Sequence, residues 1–211
     1  MPNKYIFVTG APGSKWSSVV KNIYYSPSID RRDYSDARTY YHSAWGEPEL
    51  MHLGAYYDPG MEFGKKFLRL DQLTKSEAEA EFNRPFGSEG KLTKIIKSHV
   101  FAHHLDYIKL TWPDSLILLV HRPDDACLGW WVKCGHFNIT YPNYQYYSNL
   151  DMMASHIAMQ NKDILTFAKK NEAKWDQIID NKSLAMWLSI DQPPDAYWQN
   201  YPESDIKVTV V

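Results

Sequence analysis

Residues 6–18 read IFVTGAPGSKWSS, and this stretch decides the fold that the rest of the chain is expected to adopt. The apolar run that ends at Val8 predicts a buried β-strand, and the residues from Trp16 onward favour a helix. Glycine, proline and serine fill the turn between the two elements. A strand, a small-residue loop and a helix start form an anion cradle in that order, because unpaired N–H groups and the helix dipole point into the loop.

The side chains of this turn strengthen the prediction of an anion site. Lys15 adds a full positive charge, and Ser14 and Ser17 add hydroxyl donors. We therefore expect a phosphorylated or sulfated ligand near the N-terminus. The strict spacing G-x-x-x-x-G-K-[ST] is not met, since Lys15 stands where the second glycine belongs. A strand-to-helix turn that carries a lysine by chance is the alternative interpretation.

Composition sets the class of protein. The chain has 211 residues, of which 44% are hydrophobic, and this predicts a single domain over residues 1–211. The net charge of −2 argues against bulk attraction to nucleic acid or to an anionic membrane. Neither a signal-peptide pattern nor an apolar run of membrane-spanning length is visible, so a cytoplasmic protein is expected. Cys127 and Cys134 are expected to be reduced.

Strands and helices alternate along the chain. Apolar runs predict strands at Lys4–Thr9, Leu92–His99 and Ser115–His121, and helical spacing follows each of them, as over Val100–Trp112. Near the end of the chain, Leu184–Ile190 fits a helix or a strand, and Ile206–Val211 fits a late edge strand. This alternation predicts an α/β fold with a mostly parallel central sheet flanked by helices. Residues 26–64 are rich in Pro, Gly, Asp, Tyr and His without a clean period, and we interpret them either as an irregular but ordered segment or as an insertion that covers a substrate.

A second group of polar residues follows the predicted strand at Ile95 and Ile96. Lys97 and His99 are two apart, so on a strand they share one face. If that face meets the loop of residues 10–15, an ammonium and an imidazole converge on one anion. A solvated lysine and a hydrogen-bonded histidine are the alternatives. His103 and His104 lie nearby, but the sequence offers no third ligand of the kind a zinc site needs, so no metal is expected.

A third group follows the clearest buried strand, Ser115–His121. Arg122 stands at its carboxyl end, ahead of a predicted helix, where a guanidinium can bind phosphate oxygens in a bidentate way. A salt bridge to Asp124 or Asp125 is the alternative role.

These three groups, in this order, resemble the motifs of the PAPS-dependent sulfotransferases, whose fold is a three-layer, P-loop-like α/β domain. Residues 9–17 are similar to the family motif G-x-P-R-S-G-T-T, with Gly10, Pro12 and Ser14 matching and Ser17 at a position where threonine is usual. Residues 97–99 are similar to its K-T-H element. The stretch Leu116–Trp130 is similar to its strand-R-x-P-x-D-x-x-x-S element, although Gly129 or Trp130 stands where the serine belongs.

The resemblance implies an activity and a set of site residues. It implies transfer of a sulfuryl group from PAPS to a hydroxyl or amine acceptor, with PAP as the product and a small molecule or carbohydrate as acceptor. His99 would be the general base, and Lys97 and Lys15 would stabilise the sulfuryl group and the leaving phosphate. Arg122 would bind the 3′-phosphate. The 5′-phosphosulfate would be held by the first loop and helix start, that is by Gly10, Ala11, Pro12, Gly13, Ser14, Lys15, Trp16 and Ser17.

Two other functions remain open on the residues alone. The same loop suits an ATP-dependent small-molecule or nucleotide kinase, for which Asp124 and Asp125 are the nearby candidates to bind magnesium. A non-catalytic binding protein on a decayed sulfotransferase scaffold is the other. The acceptor is not readable, although the aromatic segments 34–64 and Tyr141–Tyr147 are candidate walls for it.

Overall fold

In the computed structural model, the residues described are 4–35, 40–42, 49–57, 69–87, 90–133, 149–177, 180–194 and 205–211. The strands are β1 (Tyr5–Gly10), β2 (Tyr40–His42), β3 (Glu49–His52), β4 (Lys94–Lys97), β5 (Leu116–His121) and β6 (Lys207–Val210). The α-helices are α1 (Trp16–Tyr24), α2 (Lys75–Asn83), α3 (Leu105–Thr111), α4 (Asp124–Lys133), α5 (Leu150–Lys170) and α6 (Asn181–Trp187).

The main sheet has the strand order β4-β1-β5-β6, and β1 is parallel to both of its neighbours. Strand β6 adds to the edge in the antiparallel direction. Every residue of β1 is buried, because helices cover both faces of the sheet beside it. The predicted α/β fold with a mostly parallel sheet is therefore confirmed.

Alternate residues of the strands pack into two separate clusters. On one face, Phe7 packs with Ile96 and Ile117 against α2, α3 and the second half of α5. On the other face, Val8 and its strand neighbours pack against α1 and α6. Because the side chains of a strand alternate with a period of two, β1 contributes to both clusters. Its carboxyl end, Gly10, therefore lies between the two packed faces.

Several predicted elements differ in detail. The helical spacing over Val100–Trp112 corresponds to a 3-10 turn at Val100–His103 followed by α3, and the two are separated at His104, whose φ of −125° is not helical. The segment Leu184–Ile190, whose pattern fits a helix or a strand, overlaps α6. The expected late edge strand at Ile206–Val211 is β6.

The expected insertion is described in part. Strands β2 and β3 pair as an antiparallel hairpin within it. Residues 53–57 then return to the main sheet, where the Tyr57 N–H donates to the carbonyl of Lys97 at 3.0 Å. All five of these residues are buried, so this part of the insertion is an integral wall of the domain beside β4. Within the described residues, no helix combines the length and the apolarity that a bilayer crossing requires.

Candidate functional site

The loop between β1 and α1 is a tight, preformed turn. The Ser14 N–H donates to the Ala11 carbonyl at 3.0 Å, and Gly13 and Lys15 both have positive φ, at 83° and 63°. Lys15 is the residue that precedes α1, and no described side chain caps the helix start. The first-turn N–H groups of α1 are therefore not satisfied by a side-chain cap, which suits an anion.

Close packing explains the two glycines of this loop. A Cβ on Gly10 would lie 2.5 Å from Ser14 Oγ, and a Cβ on Gly13 would lie 2.0 Å from the carbonyl oxygen of Cys127 in α4. Ala11 packs in a small apolar cluster with Cys127 and with the first half of α5. The loop is thus wedged against α4 and α5, and only glycine fits at these contacts.

Ser14 carries a polar atom without a partner. Its side chain is fully buried, and Oγ forms no hydrogen bond with the part of the chain that the structure describes. Buried hydroxyls are normally satisfied, so an orphan of this kind marks a place where a ligand or water completes the bonding. The hydroxyl lies against Gly10 inside the predicted cradle.

Lys15 directs its ammonium towards α4. Its Nζ lies 3.8 Å from the centroid of the Trp130 ring, and Nζ of Lys133 lies 5.7 Å from the same ring. Two cations therefore lie near this indole beside the loop, and the negative face of the ring attracts them.

His99 lies directly against the loop. The side chain is 6% exposed, and its Nδ1 is 2.6 Å from the Gly10 carbonyl oxygen and 3.2 Å from Trp16 Nε1. One nitrogen cannot donate to a carbonyl and accept from an indole N–H at once. The shorter contact decides the assignment, so Nδ1 carries the proton and donates to Gly10. A neutral His99 then has Nε2 as its basic nitrogen.

Aromatic rings surround this imidazole. The rings of Trp16 and Tyr56 meet it edge-on, with centroids 5.2 and 6.0 Å away. Tyr56 belongs to the buried segment 53–57, so the insertion reaches the predicted site at this residue. A described residue of segment 26–64 thus packs against the predicted base.

Arg122 meets the loop from the other side. The residue is 7% exposed, with Nε donating to Asp205 at 3.0 Å and Nη1 donating to the Gly13 carbonyl at 3.4 Å. The carboxylate that pairs with it is therefore Asp205, from the chain just before β6. Asp124 instead accepts from the Asn161 side chain at 2.6 Å, and Asp125 from the Ala126 N–H at 2.9 Å.

Lys97 is held by the insertion. It is 1% exposed, and its ammonium donates to the Leu53 carbonyl and lies 6.0 Å from the Tyr24 ring centroid. Asp33 is near, since burial raises the pKa of its carboxyl while the charge of Lys97 opposes that rise. Asp33 accepts from the Tyr24 hydroxyl at 2.8 Å and from the Ala55 N–H at 2.7 Å. These contacts make Lys97 an anchor for residues 53–57.

The structure thus brings the loop, His99 and Arg122 together, and it joins Lys15 to α4 and Lys97 to the insertion.

Sequence reasoning missed three buried polar residues of α5 that lie next to this site, namely His156, Gln160 and Asn161. A signal was present, because they share the face of the apolar residues Met153, Ile157 and Ile164 on one helix. Polar side chains on an apolar helix face predict a buried polar contact.

His156 is the most perturbed of these groups. Burial, together with the charges of His99 and His103, lowers its pKa to about 3. His103 and His104 face carboxylates, with Nδ1 to carboxylate oxygen distances of 2.7 Å to Asp163 and 3.7 Å to Asp71. Among the described residues, no three His, Cys, Asp or Glu side chains form a group that fits a metal ion.

A cavity near the described residues lies away from this site. It has a volume of about 680 Å³ and is lined by residues at the end of α1 and before β4, including Tyr25, Arg31 and Lys91. Because α1 runs back from the loop, this cavity is at the amino edge of the sheet.

Cys127 is a free, buried thiol, whereas Cys134 and the aromatic segment Tyr141–Tyr147 lie outside the described residues.

The chain was compared with models of protein families, with curated proteins and with solved structures, and none of them matched.

Proposed function

We propose that this protein is an enzyme that transfers a sulfuryl group from PAPS to a hydroxyl or amine acceptor. The observation that carries the proposal is that an imidazole from the end of β4 and a guanidinium from the end of β5 both contact carbonyls of one glycine-rich loop. In this proposal the domain is a three-layer, P-loop-like fold, and its carboxyl edge is the ligand-binding edge.

The residues of the loop fit the phosphosulfate end of PAPS. The uncapped start of α1 and the orphan hydroxyl of Ser14 provide donors for an oxyanion, and Gly13 lets the loop pack tightly against α4. Lys15 adds charge from beside Trp130. Arg122 donates from Nε to Asp205 and from Nη1 to the Gly13 carbonyl, and the remaining N–H groups of its planar guanidinium suit a second phosphate.

His99 acts as the general base in the proposed reaction. The oxygen of the acceptor attacks sulfur, the bond from sulfur to the bridging phosphate oxygen breaks, and PAP leaves with that electron pair. The acceptor's proton passes to His99 Nε2, which the Nδ1–H bond to Gly10 keeps as the basic nitrogen. Positioning and electrostatic stabilisation of the leaving phosphate supply the remainder of the catalysis.

Calorimetry with PAP, first without metal and then with magnesium, tests the nucleotide half of this proposal. We expect metal-independent binding to the wild-type chain and nearly unchanged binding to His99→Ala. Radiolabelled PAPS offered with phenols, hydrophobic alcohols and sugars tests the transfer half, for which His99→Ala is expected to be inactive. Equal loss of binding and transfer would remove His99 as the base.

Two outcomes would favour the other functions. Magnesium-dependent binding of ATP without binding of PAP would indicate a kinase. Absence of a thermal shift with either nucleotide would indicate a non-catalytic protein.

A further inference from the structure

Two neighbouring amides on α5 reach the main chain of both residues that contact the loop. Gln160 Nε2 donates to the carbonyl of His99 at 3.0 Å. Asn161 Nδ2 donates to the carbonyl of Arg122 at 2.9 Å and to Asp124 Oδ1 at 2.6 Å. Gln160 is fully buried and Asn161 is 2% exposed, so water does not compete for these bonds.

The sheet order explains why the pair matters. Strand β1 lies between β4 and β5, so the loop that follows β1 emerges between the ends of its two neighbours. Those two ends are separated by two strand spacings, roughly 10 Å. Gln160 is bonded just beyond the end of β4, and Asn161 just beyond the end of β5. The two amides therefore bind the main chain on both sides of the loop, from the side where α5 lies.

Stability alone does not explain these two side chains. Gln160 Oε1 and Asn161 Oδ1 are buried and form no hydrogen bond with any described residue. An unsatisfied buried acceptor is destabilising, and an apolar side chain of similar shape would avoid that cost. The carbonyls they bind also have weaker second donors, Thr9 Oγ1 at 3.3 Å and Cys127 Sγ at 3.4 Å. The amides are therefore better explained by the geometry they impose.

We propose that Gln160 and Asn161 are positioning residues that hold the imidazole of His99 and the guanidinium of Arg122 at a set separation across the loop. The inference rests on the proposed function for the roles of those two groups. Gln160 keeps the His99 ring directed at Gly10, whereas Asn161 keeps Arg122 directed at Gly13. Each of these positioning roles has its own readout, so the two are separable.

Near-isosteric apolar variants test the two positioning roles. Gln160→Met and Asn161→Leu remove the donors with little change in volume, and Lys162→Met, on the exposed face of the same helix, is the matched control. Three properties are measured in the full chain: the melting temperature, the PAP affinity by calorimetry, and the imidazole N–H resonance of His99 by 15N NMR. Gln160→Leu and Asn161→Met are made in parallel, and any folded member of each pair suffices.

The expected results differ between the two positions. Asn161→Leu should weaken PAP binding by about tenfold or more, because the lost bond lies directly behind a charged phosphate ligand. The same variant should leave the His99 N–H resonance in place. Gln160→Met should change PAP affinity by less than about twofold and should lose the slowly exchanging Nδ1–H resonance of His99. Lys162→Met should change neither property.

Asn161→Asp gives an independent check of the hydrogen-bond donor. It keeps the shape but places an acceptor against the Arg122 carbonyl and Asp124. We expect weaker PAP binding than in Asn161→Leu. An affinity for PAP equal to or tighter than that of the leucine variant would show that the donor is irrelevant and would overturn the role of Asn161.

Two further outcomes distinguish a failure of the positioning roles from a failure of the proposed function. If both apolar variants lower the melting temperature but leave PAP affinity and the His99 resonance unchanged, the amides are purely structural and the inference fails. If the wild-type chain binds no PAP, the proposed function fails by itself. In that case the His99 resonance in Gln160→Met still decides the positioning role: its loss supports that role, and its retention overturns it.

Discussion

The Nδ1 atom of His99 lies 2.6 Å from the carbonyl oxygen of Gly10, although 89 residues separate the two along the chain. This contact joins the end of β4 to the first residue of the loop after β1. It orients the imidazole relative to the loop. The predicted base and the predicted cradle are therefore parts of one arrangement.

Arg122→Ala should weaken PAP binding by about 1.5–3 kcal/mol, the contribution of a hydrogen bond to a charged group. Calorimetry without metal measures this change. Arg84→Ala is the control, because that guanidinium is exposed and pairs with Glu81 on its own helix turn. An unchanged affinity in the Arg122 variant would remove Arg122 from the site.

Gly13→Ala should destabilise the fold by about 1–3 kcal/mol, because φ is +83° and the new Cβ would overlap the Cys127 carbonyl. PAP binding should weaken as well, since the loop and α4 must separate. Urea unfolding gives the free energy of unfolding for this variant.

Gly129→Ala is the opposite case. A Cβ there meets nothing within 4 Å, and the residue lies inside α4, so stability should rise by up to about 1 kcal/mol. Similar losses of stability in both glycine variants would contradict the assigned packing of Gly13.

Lowering the pH should destabilise the fold through His156. Burial lowers its pKa to about 3, so it stays neutral in the folded chain, while the unfolded residue with a pKa of about 6.5 binds a proton below that pH. The unfolded state then holds more protons, and stability falls as the pH drops from about 6.5 towards 3, by about 2 kcal/mol at pH 5. His104 and His121, whose pKa values are lowered by burial, act in the same direction.

His156→Gln removes this contribution. We expect the loss of stability between pH 7.5 and pH 5 to be smaller in the variant by about 2 kcal/mol. Urea unfolding at the two pH values measures it. Identical pH dependence in the wild type and the variant would show that His156 is not the group responsible.

Lys97→Met should lower the free energy of unfolding by about 3–5 kcal/mol, because it leaves the carboxylate of Asp33 buried without its cation. Adding Asp33→Asn should recover part of that loss, and the double-mutant cycle measures the coupling. Additive effects of the two substitutions would show that Lys97 does not anchor the insertion through Asp33.

Much of the fold could be predicted from the sequence because it depends on the pattern of apolar and turn-forming residues over short stretches of chain. The apolar run of β5 and the alternation of strands with helices predicted a mostly parallel sheet, and the turn at Gly10–Lys15 predicted where α1 begins. The break at His104 was not readable, because helical spacing continues through it. The side of the sheet on which each helix packs depends on contacts far apart in the chain.

For the candidate site, the sequence predicted only the residues that contact the loop. His99 and Arg122 were identified because each follows an apolar strand, and parallel strands end at one edge of a sheet. The alternative role of Arg122, a salt bridge, was considered only for Asp124 and Asp125, whereas in the structure the carboxylate that pairs with it is Asp205. Gln160 and Asn161 were hidden inside a long helix, where their bonding partners are distant in sequence.

The amino-acid sequence by itself determined the local geometry of this protein: the buried strands, the glycine turn and the polar residues that follow each strand. These follow from side-chain size, backbone freedom and apolar periodicity, which act over a few residues. Tertiary structure alone decided which of those polar groups meet. It placed His99 on Gly10, bound Lys97 to the insertion, and set two amides of α5 behind the loop, because hydrogen bonds between buried groups depend on how whole elements pack.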